Sequence, residues 1–242
     1  MGKGAENMKK LFTAIRQGNL GEIKRIIEEK PEFVNCVSGA LPKKDHGQSP
    51  LQVALKTGKY EIADYFMEHG ADINFMEAED DDSGIRVPVL FDAINSTIVS
   101  LCYKRFDESE IAFDFVKKIV ERGADVNKRA SNGYDAINWA ISAAELLFER
   151  ASVYPQSQEA VRKQLARILD LLIENGADYV AWANRGHYPE PHPGPSNRSM
   201  YIDDFLPEGE KDLDKNKELR AFMQEYFKSR NLHIELEEQL FK

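Results

Sequence analysis

The chain of 242 residues is poor in cysteine, and the two that it has, Cys36 and Cys102, lie far apart. Two distant cysteines do not make a disulfide framework or a thiolate metal site, and reduced thiols are what an intracellular compartment maintains. The chain also lacks an apolar run near the roughly 18 residues of a membrane span. Its first residues, MGKGAENMKK, lack the apolar core of a signal peptide. We therefore expect a cytoplasmic protein that does not enter membranes.

Sequence motifs of catalysis are missing as well. The chain has no phosphate-cradling glycine loop, no G-x-S-x-G elbow, no H-E-x-x-H helix and no paired C-x-x-C. His187, Glu190 and His192 have the side chains of metal ligands, but they lie in a proline-rich stretch without a third soft ligand. We predict no catalytic residue, no metal site and no cofactor. The rival hypothesis is an enzyme that uses segment 187–201, where no nucleophile and base can be recognised as a pair.

Positive charge is in deficit, because 32 basic residues face 41 acidic ones and the formal net charge is −9. This balance argues against general nucleic-acid binding and favours either plain solubility or a basic partner. Hydrophobic residues make up 42% of the chain, which is enough to bury a substantial core. The chain is therefore globular in class.

The most regular stretch is 47–74, GQSPLQVALKTGKYEIADYFMEHGADIN. Ser49 is a good helix N-cap with Pro50 at the first helical position, and Gly58 ends that helix. A second apolar stripe at helical spacing then runs to Gly70, which can adopt the positive φ that stops a helix. Two antiparallel helices with one shared apolar face result. Such a pair cannot bury that face alone, so the stretch predicts stacked copies.

This stretch resembles an ankyrin repeat, whose pattern is G-x-T-P-L-H-x-A-A-x-x-G, a second helix, and then G-A-D-V-N. Gln52 replaces the His of the pattern and Leu55 the second Ala. The resemblance implies an all-α solenoid of about four helix-turn-helix repeats with extended fingers. It also implies that the fingers and the first helices form a concave surface that binds a partner protein, and that the fold itself does no chemistry.

The Gly-Ala-Asp signature returns at Gly123 and Gly176, and the pattern divides the array 8–186 into repeats of about 8–45, 46–85, 86–131 and 132–186. Between the two helices of a repeat, the third and fourth copies are 14 and 20 residues longer than the second. We expect the inserts to lengthen the helices, with Ser109 capping the second helix of the third repeat and Pro155 breaking the excursion of the fourth.

The two ends of the chain depart from the repeat pattern. Residues 1–7 are expected to be disordered. Beyond the array, 187–211 reads as a proline-rich loop. Within 212–242 an apolar stripe at helical spacing returns, so we predict a C-terminal helical cap over the fourth repeat.

The candidate partner-binding residues lie on the fingers and on the first helices. On the extended second finger, apolar tips precede a run of carboxylates, a combination that suits an electrostatically guided contact, although an acidic run can also be a solvated loop. Further fingertip positions and the row that follows each first-helix apolar pair complete the set. It comprises Phe75, Met76, Glu77, Asp80, Asp81, Asp82, Arg129, Trp182, Lys56, Asn95 and Ser142.

From these features we predict a monomeric, bacterial-type ankyrin repeat protein that acts as a protein-protein interaction module. A narrower hypothesis is an inhibitor or immunity-type protein whose acidic surface masks a basic toxin or nuclease. A structural scaffold in a larger assembly is a further alternative. Nucleic acid and membrane are not expected partners.

Overall fold

The structure is a computed structural model and describes residues 3–39, 45–78, 85–149, 155–179 and 217–232. The acidic residues Asp80, Asp81 and Asp82, the tip residue Trp182, and the segments 187–211 and 187–201 lie outside the described residues. The helices are α1 (Lys3–Gln17), α2 (Leu20–Glu29), a short 3₁₀ helix (Pro31–Asn35), α3 (Pro50–Lys56), α4 (Tyr60–Glu68), α5 (Val89–Cys102), α6 (Phe106–Glu121), α7 (Ala136–Glu149), α8 (Pro155–Glu174) and α9 (Lys217–Ser229).

The helices form two stacked rows. The first helices α1, α3, α5 and α7 contact one another in that order, and the second helices α4, α6 and α8 stack behind them. One continuous core runs between the rows. Among the described residues, extended pairing is limited to an isolated antiparallel bridge between Met76 and Pro88. The predicted all-α repeat fold is confirmed.

The second repeat shows why each copy is a helix pair. Ser49 accepts a hydrogen bond from the backbone N–H of Gln52, and the Gln52 side chain accepts one from the backbone N–H of Ser49, which completes a capping box. Pro50 occupies the first helical position as predicted. Gly58, with φ of 66°, then reverses the chain, and Gly70, with φ of 85°, ends the second helix.

A ladder of asparagines fixes one repeat on the next. The Asn35 side chain donates to the Gly70 carbonyl at 3.0 Å and accepts from the Asp72 N–H at 2.8 Å. Asn74 and Asn127 make the same two bonds to the third and fourth repeats, at 2.8 to 3.1 Å. Each repeat therefore satisfies the helix-end carbonyl of its successor.

Three segments connect the repeats, and we call them the first finger (36–49), the second finger (75–88) and the third finger (128–135). The structure describes 36–39 and 45–49 of the first finger, 75–78 and 85–88 of the second, and all of the third. The first two are joined by the Ala78 N–H bond to the Gly47 carbonyl, at 2.9 Å. Gly47 has φ of 76°, and an added Cβ would lie 3.1 Å from the Ala78 carbonyl oxygen. Glycine is therefore required where the two fingers meet.

The inserts lengthen the helices of the third and fourth repeats, as the sequence predicts. Helix α5 has 14 residues where α3 has 7, and α8 has 20 where α4 has 9. Pro155 begins α8. The predicted cap Ser109 is wrong, because α6 already starts at Phe106. Ser109 is fully buried inside α6 and donates to the Thr97 carbonyl at 2.8 Å, which links the two lengthened helices.

The chain ends differ in how they follow the expectations. Helix α1 begins at Lys3, whereas the sequence suggested disorder over 1–7; an ion pair of 3.2 Å between Glu6 and Lys10 stabilises this extra turn. At the other end, α9 buries Met223 and Phe227, its Tyr226 donates a hydrogen bond to Asp170 of α8, and Arg230, directly after α9, binds the same carboxylate. Helix α9 thus contacts α7 and α8 of the fourth repeat, and its role as the cap of the array stays a prediction. No helix in the described ranges is long and apolar enough to span a membrane.

Candidate functional site

One side chain per repeat projects from the first helices toward the finger side. These residues directly follow the buried apolar pair of each first helix and are Arg16, Lys56, Asn95 and Ser142. Lys56 and Asn95 are exposed, whereas Arg16 and Ser142 are half-buried. The sequence predicted the last three. Arg16 was missed, although the same spacing after Ala14 and Ile15 identifies it.

The first finger is anchored by a buried carboxylate. The Asp45 side chain is 0% exposed, and the Arg16 guanidinium binds both of its oxygens, with Nε 2.7 Å from Oδ2. The Lys56 ammonium lies 3.9 Å from Asp45 Oδ1. Bidentate Arg-carboxylate pairing fixes geometry as well as charge. The first finger is therefore tied to the first helices of repeats one and two.

A relay of polar side chains continues to the second finger. Lys56 Nζ donates to Gln48 Oε1, and Gln48 Nε2 donates to Glu77 Oε1. The other Glu77 oxygen accepts from the Val87 N–H at 3.1 Å. Of the predicted binding residues, the structure thus brings Lys56 and Glu77 together through Gln48. Both side chains hold the fingers in place as well as facing solvent.

The relay includes a buried carboxyl group on the third repeat. Asp92 is 8% exposed and accepts a hydrogen bond from Gln52 Nε2 at 3.1 Å, while Gln52 also donates to the Val87 carbonyl at 3.0 Å. Burial, reinforced by the nearby Glu77 carboxylate, raises the pKa of Asp92 well above its ordinary value, against the opposing effects of Lys56 and the Gln52 hydrogen bond. Burial likewise lowers the pKa of Lys56, although Asp92 and Asp45 oppose that change.

The apolar residues predicted for the second fingertip lie at its base. Phe75 is half-buried and packs against the core, and its carbonyl accepts from the Val89 N–H at 3.2 Å. Met76 is half-buried in the bridge to Pro88. Replacing Phe75 would therefore also disturb packing.

Two further positions complete the finger side. Arg129, on the third finger, is exposed, in keeping with a contact residue. Trp139, which was not predicted, is half-buried on α7, and its ring lies 5.2 Å from that of Phe91. Its indole N–H has no acceptor in the structure. Aromatic residues are enriched at protein interfaces. A tryptophan three residues, or about one helical turn, before Ser142 was the sequence signal that could have identified Trp139 as a candidate.

Among the described residues of the finger side, the side chains relevant to chemistry are those that bind metals or act as nucleophiles. In the described parts of the chain, no three His, Cys, Asp or Glu side chains are grouped so as to hold a metal ion. Cys36 is a free thiol whose pKa is raised to about 12 by burial, so it is protonated at neutral pH and is a poor nucleophile. What the finger side presents is a polar and partly charged surface on a rigid array.

Comparison with known proteins agrees with this architecture. Residues 46–75 match the family model described as "Ankyrin repeat". Over 128 residues, 53% of the chain, the sequence is 29% identical to "Ankyrin repeat and SAM domain-containing protein 6" of Rattus norvegicus and 30% identical to the Mus musculus protein of that name. The matched stretch spans only 12% of the length of each relative. These relatives are mammalian, and the bacterial type stays a prediction. The chain therefore contains an ankyrin repeat at 46–75, is similar to ankyrin repeat proteins over about half of its length, and has an all-α fold.

Proposed function

We propose that this chain is a protein-interaction module that binds its partner on the surface formed by the fingers and the row Arg16, Lys56, Asn95 and Ser142. The observation that carries the proposal is that row. Every repeat presents one polar side chain at the same helical position, immediately beside residues that are buried for stacking. A repeated, rigidly spaced row suits recognition of an extended protein surface.

Pre-organisation of the fingers supports the same proposal. In the described parts of the first and second fingers, Asp45 is bound by Arg16 of α1, and Gln48 joins Lys56 of α3 to Glu77 before any partner binds. A surface fixed in advance loses less conformational entropy on association than a loop that must order. The formal net charge of −9 favours a basic partner.

We further infer that the chain acts in the cytoplasm as a monomer and without catalysis of its own. The raised pKa of the Cys36 thiol, which makes it a poor nucleophile, supports the last of these three points. A basic toxin or nuclease as the partner is the narrower form of the proposal, and it rests on the net charge alone.

Affinity capture with matched surface variants tests the proposal. Asn95→Arg places a long cation in the middle of the row, and Asn95 makes no described side-chain bond that the change would break. Gln224→Arg, on the exposed face of α9, makes the same chemical change away from the row. We expect the wild type and Gln224→Arg to capture the same protein and Asn95→Arg to lose it.

Purified components then give the magnitude. Asn95→Arg should weaken association with the captured protein by at least about tenfold, the equivalent of roughly 1.4 kcal/mol. Equal affinities for the two variants would place the partner elsewhere and refute the proposal. A steep loss of affinity with added salt supports a basic partner, whereas salt independence excludes it.

A further inference from the structure

The backbone of Val87 is held from both sides where the second finger enters α5. Its N–H donates to Glu77 Oε2 at 3.1 Å, and its carbonyl accepts from Gln52 Nε2 at 3.0 Å. The same Gln52 nitrogen donates to Asp92 Oδ2 at 3.1 Å. Position 87 is therefore fixed by two side chains, and each of them interacts with the buried Asp92 carboxyl.

We propose that the protonation state of Asp92 controls how firmly the second finger is held at Val87. With Asp92 neutral, Gln52 and Glu77 both bind the Val87 peptide units. Ionised Asp92 places a buried negative charge beside the half-buried Glu77 carboxylate and draws the Gln52 amide toward itself. Both effects weaken the two side-chain bonds that hold Val87, so that the end of the second finger is then held at this residue mainly by the backbone bond from the Glu77 N–H to the Val87 carbonyl, at 3.3 Å.

The charges around Asp92 come from several elements, and they set the direction of the effect. Glu77 of the second finger favours the neutral form, and Lys56 of α3 favours the ionised form. Arg16 of α1 and Asp45 of the first finger act on Lys56 and so on Asp92 indirectly. At the start of α7, the Asp135 carboxylate is occupied by the backbone and side-chain N–H groups of Asn138.

Burial decides between these influences, because removing a carboxylate from water costs more than one partly exposed ammonium returns. The neutral form of Asp92 is therefore retained to a pH well above that of an ordinary aspartic acid. Below this pH the two side-chain bonds to Val87 are strong, and above it both are weakened. The same network that pre-organises the finger surface thus makes it sensitive to pH.

Nuclear magnetic resonance of the whole chain tests the proposal in two linked titrations. The ¹³Cγ shift of Asp92 reports its ionisation, and the backbone amide shift of Val87 reports the bond to Glu77. We expect both signals to titrate together at a pH well above that of exposed aspartates. In Asp92→Asn, which keeps the acceptor for Gln52, the Val87 step at that pH should be lost.

Asp114→Asn is the matched control, since Asp114 is an exposed aspartate on α6 whose partner Lys117 lies on the same helix. This variant should keep the Val87 step unchanged. The proposal is overturned if Asp92 titrates with the exposed aspartates, or if the Val87 amide does not follow Asp92. It is also overturned if the Val87 step survives in Asp92→Asn.

Discussion

Repeats are joined by charged groups on both sides of the array, but the two sides use them differently. On the side of the second helices, three junctions, which we call the outer junctions, each have one acid and one base: Asp64 with Lys118 at 2.9 Å, Glu110 with Arg167 at 2.7 Å, and Asp170 with Arg230 at 2.6 Å. These side chains are between 31% and 54% exposed. On the finger side, Asp45, Glu77 and Asp92 share Arg16 and Lys56, and two of the three carboxyl groups are buried.

Aromatic rings emphasise the contrast. Each base of the outer junctions lies over a ring: Lys118 over Phe115 at 4.6 Å, Arg167 over Phe113 at 4.1 Å and Arg230 over Tyr226 at 4.3 Å. An outer junction is thus complete in itself and can be lost without affecting the next. On the finger side, the three carboxyl groups and the two basic side chains form one connected network in which acids outnumber bases. The outer junctions therefore stabilise the stacking of neighbouring repeats one pair at a time. The finger-side network couples three repeats, and we expect regulation there.

Removing the buried carboxylate of the first finger should have the largest effect. Asp45→Ala leaves the half-buried Arg16 and the more exposed Lys56 without their common partner, so the free energy of unfolding should fall by about 3 kcal/mol. Urea unfolding at pH 7 measures the loss. Arg16→Met is the comparison, because it leaves Asp45 with Lys56 and should cost less. A loss below about 1 kcal/mol for Asp45→Ala would show that the network is no stronger than an outer junction.

Neutralising Asp92 should instead stabilise the fold. The pKa of Asp92 is raised in the folded state, so the folded protein is destabilised at any pH at which an unfolded aspartic acid would ionise. This loss of folding free energy is absent below the ordinary aspartic acid pKa. It grows by up to about 1.4 kcal/mol per pH unit until the pH passes the folded pKa. Asp92→Asn should therefore gain at least about 1 kcal/mol at pH 7 and nothing at pH 3. Unfolding curves at both pH values decide this. A destabilised variant at pH 7 would mean that the charge of Asp92 is needed for the fold.

An outer junction should behave in the opposite sense with pH. The hydrogen bond from Arg230 lowers the pKa of Asp170, with Tyr226 adding to it against burial. Its contribution is thus complete above the ordinary aspartic acid pKa and is lost as the pH falls through the lowered one. Asp170→Ala should cost about 1 kcal/mol at pH 7, given its partial exposure, and less at pH 3. Asp114 pairs with Lys117 on its own helix and joins no repeats, so Asp114→Ala serves as the control. Its free energy of unfolding should stay within about 0.5 kcal/mol of the wild-type value.

The sequence was sufficient for the repeats and for two charged members of the finger-side network, Lys56 and Glu77. Period and caps predicted the helix pairs, and the position after each apolar pair predicted Lys56. Asp92 was not predicted as a site residue. It has the same position in its first helix as Val53 and Trp139 have in theirs, and that position is not in the row of predicted contacts. Its burial also depends on contacts with the second finger, which the repeat pattern does not specify. Asp45 lies in an irregular finger where no pattern applies. Its pairing with Arg16 joins residues 29 positions apart, a contact that only the stacked array creates.

The smallest expected effect is the coupling between Lys56 and Asp92, and it tests whether the finger side really is one network. Lys56→Met removes the ammonium and keeps most of the aliphatic stem. At a pH where titration shows Asp92 to be ionised, this change should cost about 0.5 kcal/mol more in the wild-type background than in Asp92→Asn, because only the former loses an attraction to a buried carboxylate. The Lys56 contacts with Asp45 and Gln48 are present in both backgrounds and cancel. At pH 3, where Asp92 is neutral, the difference should disappear. A coupling that is the same at both pH values would arise from packing rather than charge, and the two sides of the array would then differ in burial alone.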